Sequence, residues 1–152
     1  MTFSHPRGTR GGRPPHGRMV LLANKFAMSR IRRRSGKFMG ADALILTTIG
    51  RKSGQPRSTP VDWFPGSDDS WIVVASAAGA ATNPNWYLNL AAHPDRATIE
   101  MAGETIPVTA RELEGPERAE QWAAVKAANP RFAQYEQKTD RQLPIIELTR
   151  RS

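Results

Sequence analysis

Seven residues, Arg51-Lys52-Ser53-Gly54-Gln55-Pro56-Arg57, separate two apolar, β-branched runs at residues 43–49 and 58–64. A connection this short joins strands that lie side by side and run antiparallel, because a parallel pair needs a crossover of about a dozen residues or more. The turn also has an unusual composition. It carries three cations and a hydroxyl and no carboxylate. Such a turn, held between strands, is built to receive an anion such as a phosphate or carboxylate group. A plain solvated turn is the competing reading. The rest of the chain offers no evident catalytic constellation, so an anionic cofactor bound here would bring the chemistry with it.

The pattern on either side extends the antiparallel theme. Residues 71–76 read as a third strand after the turn signal Pro65-Gly66-Ser67-Asp68-Asp69. Small residues at 77–82 lead into a short helix, with Asn83 expected as its cap and Pro84 at its first position. Residues 96–101 and 104–111 read as a hairpin about Ala102-Gly103. Gly115-Pro116 opens a helix to about residue 128, with Ala119, Trp122, Ala123 and Val125 as its inward face. A second helix is expected at 131–137 and a last strand at 143–148. Strands follow one another without the regular βαβ alternation of a doubly wound sheet. The expected fold is α+β, mainly β: about six mostly antiparallel strands closing a small barrel with helices outside.

Charge separates the N-terminal segment from the remainder. Of the formal +8, residues 1–40 hold ten Lys or Arg and no acid, whereas the remaining residues hold 12 bases against 14 acids. The basic character belongs to one segment, which argues against a nucleic-acid-binding fold. Residues 1–17, rich in Gly, Pro and Arg, are expected to form a disordered arm. Residues 18–37 are expected to form an amphipathic basic helix, stopped at Ser35-Gly36, and residues 38–152 the barrel. The helix has three readings: a solvated tail, a contact with anionic lipid, or, last, a contact with nucleic acid. Cysteine is absent, which excludes disulfides, thiolate catalysis and Cys-ligated metal sites. Three scattered histidines suggest no metal centre. No run approaches the roughly 20 apolar residues of a membrane span, and no secretory leader is evident. The expected location is cytoplasmic, at or away from the inner face of the membrane.

Three stretches carry a resemblance to a known family: TTIGRKSGQPRSTPV, then VVASAAGAATNPNWYLNLAAHPD, then TDRQLPIIEL. Over about residues 40–150 the chain resembles the deazaflavin-dependent nitroreductases and F420H2-dependent quinone reductases of actinobacteria. The resemblance implies a split β-barrel, of the type that also binds FMN, holding coenzyme F420 by its phosphate and oligoglutamate tail. It places Arg51, Lys52, Ser53 and Arg57 on that tail. It makes Ser58, Thr59, Pro60, Val61 and Asp62 cofactor contacts along the second strand. Val73, Val74, Ala75 and Ser76 would meet the deazaflavin ring, and Pro84, Asn85, Trp86, Tyr87 and Leu88 would lie beside it. Where the family often has a Lys after the Ser of the third strand, this chain has Ala77. Phe132 takes the place of a tyrosine near Tyr135.

The implied reaction is hydride transfer from reduced deazaflavin to a quinone, enone or nitro-type acceptor. Ser76 would hydrogen-bond the acceptor oxygen, and Tyr135 would close the pocket or donate a proton. Two other readings use the same barrel: a non-catalytic carrier of F420 or lipid, and an FMN-dependent oxidase.

Overall fold

The computed structural model describes residues 3–12, 17–33, 37–38 and 41–151. His16 and the expected helix stop at Ser35-Gly36 lie outside the described residues. The elements in chain order are α1 (Arg18–Arg33), β1 (Lys37–Phe38), β2 (Ala41–Ile49), β3 (Pro56–Asp62), β4 (Phe64–Pro65), β5 (Trp71–Val74), α2 (Asn85–Ala92), β6 (Ala97–Met101), β7 (Glu104–Glu112), α3 (Gly115–Ala128), α4 (Arg131–Lys138) and β8 (Ile145–Arg150). The sheet order is β1-β2-β6-β7-β8-β5-β4, and β3 pairs with β2 outside that path. All of these pairings are antiparallel. The six expected strands correspond to β2, β3, β5, β6, β7 and β8; the additional β1 and β4 are two residues each.

Strands β2, β5 and β8 are covered on both faces, which is why they read as continuous apolar runs, whereas β7 alternates between buried and exposed residues. Successive side chains of a strand point to opposite faces. Leu44 and Leu46 of β2 therefore enter the barrel core, with Val73, Ala75, Ile99, Val108, Ile146 and Leu148. Ala43 and Ile45 point the other way and meet Ile31 of α1. Ile72, Val74 and Ile145 likewise face Trp122, Val125 and Phe132 of α3 and α4. Each fully buried Leu, Ile, Val or Phe contributes about 1.5–3 kcal/mol.

Two expectations need correction, and the described part of the arm adds a third difference. In α3 only Trp122 and Val125 are buried, while Ala119 and Ala123 are exposed. A helix rotates to bury its bulkiest pair, and two alanines remove little apolar surface by comparison. Helix α2 begins at Asn85 with Pro84 in the cap position. Asn83 makes no cap because its amide is committed elsewhere, to Pro6 O at 2.9 Å and to Arg141 at 2.6 Å. The arm expected to be disordered is also docked where it is described. Phe3 enters the barrel core, its ring edge-on to Tyr87 at 5.6 Å. Ser4 donates to Glu112, and the His5 amide donates to the Tyr87 hydroxyl at 3.0 Å. Farther along, Gly8 N donates to Ala81 O at 2.9 Å and Ala81 N to Gly12 O at 3.1 Å.

Candidate functional site

The cationic turn is shaped by its own backbone and then anchored from behind. Gly50 N donates to Gln55 O at 2.8 Å, and Gly54 N to Gly50 O at 2.8 Å. Gly54 sits at φ +70, a conformation that favours glycine. Asn89 of α2 fixes the turn to the barrel. Its Oδ1 accepts from Arg51 N at 3.1 Å and from the Arg51 guanidinium at 3.3 Å, while its Nδ2 donates to Thr48 Oγ1 at 3.1 Å. Asn89 is buried, so all of these partners matter to it. Arg51, Lys52 and Arg57 remain exposed, and no carboxylate among the described residues pairs with them. Among the described residues the one side-chain hydrogen bond of Arg57 is to Ser53 Oγ, at 3.5 Å. This donor set, three cations and a hydroxyl on one exposed turn, fits a multiply charged anion.

A second part of the site follows β5. Ala77, Ala78 and Gly79 take φ values of +47, +55 and +82 in succession. For the two alanines this left-handed backbone costs about 1–2 kcal/mol each, so the surroundings must hold it. Gly79 is required here on two counts, its positive φ and its packing on α4. A Cβ at that position would lie 2.8 Å from Lys138 Cβ and 3.0 Å from Tyr135 O. Arg141 holds the segment from inside. It is 2% exposed and donates to Ala75 O at 3.0 Å, Ser76 O at 2.8 Å, Ala80 O at 2.9 Å and Asn83 Oδ1 at 2.6 Å. Burial brings its guanidinium down to about 10, with the site of Tyr87 opposing that shift. The docked arm holds the same segment from outside. Thr9 and Arg10 then bind Asp140, through Thr9 N at 2.7 Å, Thr9 Oγ1 at 2.5 Å and Arg10 N at 3.0 Å. Those bonds hold the Asp140 carboxyl down at about 2.

The sequence-predicted residues divide between these two parts and the core. Ser58 is exposed on β3 and shares a 2.8 Å hydrogen bond with Thr47. Thr59, Pro60 and Val61 are half-buried along β3. Asp62 at the end of that strand is ion-paired with Arg131 of α4, and burial raises its carboxyl against that pairing. Val73, Val74 and Ala75 are buried: Val73 and Ala75 in the barrel core, Val74 against α3 and α4. Ser76 is half-buried, and no hydrogen bond among the described residues uses its hydroxyl. Pro84, Trp86 and Leu88 are half-buried and Asn85 exposed. Tyr87 is fully buried, donating to Glu112. Burial and that bond push its hydroxyl up to about 12.

Tyr135 is half-buried on α4. Its ring stands edge-on to Phe132 at 5.5 Å, with Arg131 and Lys138 at 5.9 and 5.7 Å from its face. Because α4 packs on the 77–79 turn, the structure brings the elements carrying Ser76 and Tyr135 together. Phe132 is itself 4% exposed and packs on Phe64, as a helix-core residue. Asn89 and Arg141 were missed by the sequence reading, although both lie inside the quoted motifs. A shallow cavity of about 130 Å³, lined by Ile31, Ile45, Glu100, Met101, Ala102 and Gly103, lies under α1, on elements that carry none of the predicted site residues.

Comparison with known proteins matches residues 23–150 to the family described as F420H(2)-dependent quinone reductase. The F420H(2)-dependent quinone reductase of Mycobacterium tuberculosis is 36% identical over 112 residues, which cover 72% of this chain and 74% of that protein. Among solved structures, an F420-H2 dependent reductase is 35% identical with a TM-score of 0.63, covering 70% of this chain and 93% of its own. A domain-swapped dimer is 29% identical with a TM-score of 0.64, covering 87% of this chain and all of its own. A heme-binding protein from Mycobacterium smegmatis, 20% identical with a TM-score of 0.55 and covering 82% of this chain and 50% of its own, shares the fold. The match over residues 23–150 and the 36% identity to the Mycobacterium tuberculosis reductase show that the chain belongs to the F420H(2)-dependent quinone reductase family.

Proposed function

We propose that the protein passes a hydride from F420H2 to a quinone, enone or nitro-type acceptor, with the reacting groups gathered beside Ser76. Family membership supplies the reaction class, F420-dependent oxidoreduction, and its cofactor, coenzyme F420. The observation that carries the reading is the turn of residues 51–57: three exposed cations with no carboxylate partner among the described residues, tied to α2 through Asn89. Arg51, Lys52, Ser53 and Arg57 hold the phosphate and acidic tail by charge-assisted hydrogen bonds. Ser58, Thr59, Pro60 and Val61 line the approach along β3. Pro84, Asn85, Trp86 and Leu88 border the ring. Val73, Ala75 and Tyr87 support it from within the core. When bound, the reduced cofactor supplies a hydride from its C5 carbon.

The protein's own part is orientation and electrostatics. The Ser76 hydroxyl donates to the acceptor oxygen as negative charge grows there. Tyr135 covers the acceptor, and its hydroxyl delivers the proton. Helix α1 carries Met19, Leu21, Leu22 and Phe26, all at least 60% exposed, among Arg18, Lys25 and Arg30. That face suits an anionic membrane surface from which a lipophilic acceptor would be drawn. No helix among the described residues is long and apolar enough to cross a membrane. Titration with F420, followed by fluorescence, tests the reading, together with F420H2 oxidation in the presence of a quinone, an enone and a nitroaromatic. Micromolar or tighter binding and turnover with a quinone are expected; absence of binding overturns the assignment.

A further inference from the structure

Arg141 is a cation placed deep behind the candidate site, and it answers to no acid. Each of its four acceptors is neutral: three backbone carbonyls and the Asn83 amide. The neighbouring carboxylate, Asp140, turns outward to Thr9 and Arg10 instead. No carboxylate among the described residues pairs with Arg141. A buried charge without a counter-ion is costly to keep. If the fold only required donors for stray carbonyls, a neutral side chain could supply some of them without that cost. The acceptors also converge on one stretch, residues 75–83, which begins beside Ser76 and contains the left-handed backbone of Ala77 and Ala78.

We propose that Arg141 is a positioning residue for hydride transfer: it holds residues 75–83 so that Ser76 is presented to the reacting groups, and it sets an unmatched positive charge directly behind them. The inference rests on the reading of the Ser76 region as the reaction site. A fixed charge next to the Ser76 carbonyl favours negative charge developing on an acceptor oxygen held at that residue. It does so in a partly water-excluded setting, where a charge acts more strongly than in bulk solvent. It needs no rearrangement at the moment of reaction, because the four hydrogen bonds fix it beforehand.

Two variants of the full chain, Arg141→Lys and Arg141→Gln, test this with three measurements: hydrogen exchange of residues 76–82 in the ligand-free protein, the F420 dissociation constant, and kcat and KM with F420H2 and a quinone. Neither replacement reaches all four acceptors, so exchange at 76–82 rises in both. With Gln the charge is gone, and kcat falls about tenfold or more, while the F420 dissociation constant moves by less than about threefold. With Lys the charge stays but the hold on residues 75–83 is weaker, so kcat falls, by about threefold, less than in the Gln variant.

Unchanged exchange in both variants overturns the inference. So does a wild-type kcat in the Gln variant, or a Lys variant as slow as the Gln variant. If Arg141→Gln does not fold, Arg141→Lys decides alone: exchange at 76–82 must rise and kcat must fall with the F420 dissociation constant little changed, and a wild-type kcat beside faster exchange overturns the inference. Failure of the wild-type protein to bind F420 would instead sink the functional reading, and exchange at 76–82 would still decide whether Arg141 holds the segment.

Discussion

Arg57 ends the cationic turn exposed, with a single hydrogen bond, to Ser53 Oγ, among the described residues. It has little to lose within the protein and much to gain from an anion. Each charge-assisted hydrogen bond to phosphate is worth about 1.5–3 kcal/mol. Arg57→Ala is therefore expected to raise the F420 dissociation constant by about tenfold or more, and Arg57→Lys by less, in a fluorescence titration at fixed salt. Asp140 gives a prediction of another kind. Its carboxyl sits at about 2, below its ordinary 3.8, because Thr9 and Arg10 bind the charged form. A depressed pKa contributes stability that is present above 3.8 and is lost as pH falls through about 2. Docking of residues 8–12 should thus be insensitive to pH between 5 and 8 and weaken only in acid. Asp140→Asn should reproduce the loosening at pH 7, visible as faster proteolysis within the arm.

At this scale the sequence was legible where chemistry is local. The exposed cationic turn of Arg51, Lys52, Ser53 and Arg57, where an anion site is proposed, is evident from composition alone. Asn89 and Arg141 are not evident in this way, because their partners lie 38 to 66 residues away and nothing near them in sequence marks those contacts.

The strands, the hairpin at Ala102-Gly103 and helix α3 were readable because hydrophobic period and turn residues agree there. Helix α1 was readable too, from an apolar stripe among cations. Its exposed face leads to a test at the level of the element. Leu21→Glu and Phe26→Glu together should abolish co-sedimentation with vesicles containing anionic lipid, leave neutral vesicles unaffected, and leave the fold intact. Deleting residues 1–34 would be a poor test, since it also removes Phe3 and Ile31 from their clusters. Residues 3–12 show no local sign of order, for a physical reason. They have no apolar period and are rich in Gly, Pro and Arg, which describes a chain that cannot order itself. Their order is borrowed from Tyr87, Glu112, Ala81 and Asp140, all distant in sequence.

For the molecule as a whole, a ligand that binds only the folded state adds to its stability. At one hundred times the dissociation constant the gain is about 2.7 kcal/mol. For a domain of this size that is a rise in melting temperature of roughly 5–10 °C. Saturating F420 should produce such a shift in the wild type and a smaller one in Arg57→Ala at the same concentration. The barrel is not closed all round: β3 pairs only with β2 among the described residues. An open rim of this kind is where foreign chains add themselves and aggregates begin. Pro56 and Pro60 lie on β3 with matching parity, so two amide donors are missing from the same side of it. The rim can stay uncovered for a ligand to reach while giving a would-be fibril nothing regular to zip onto.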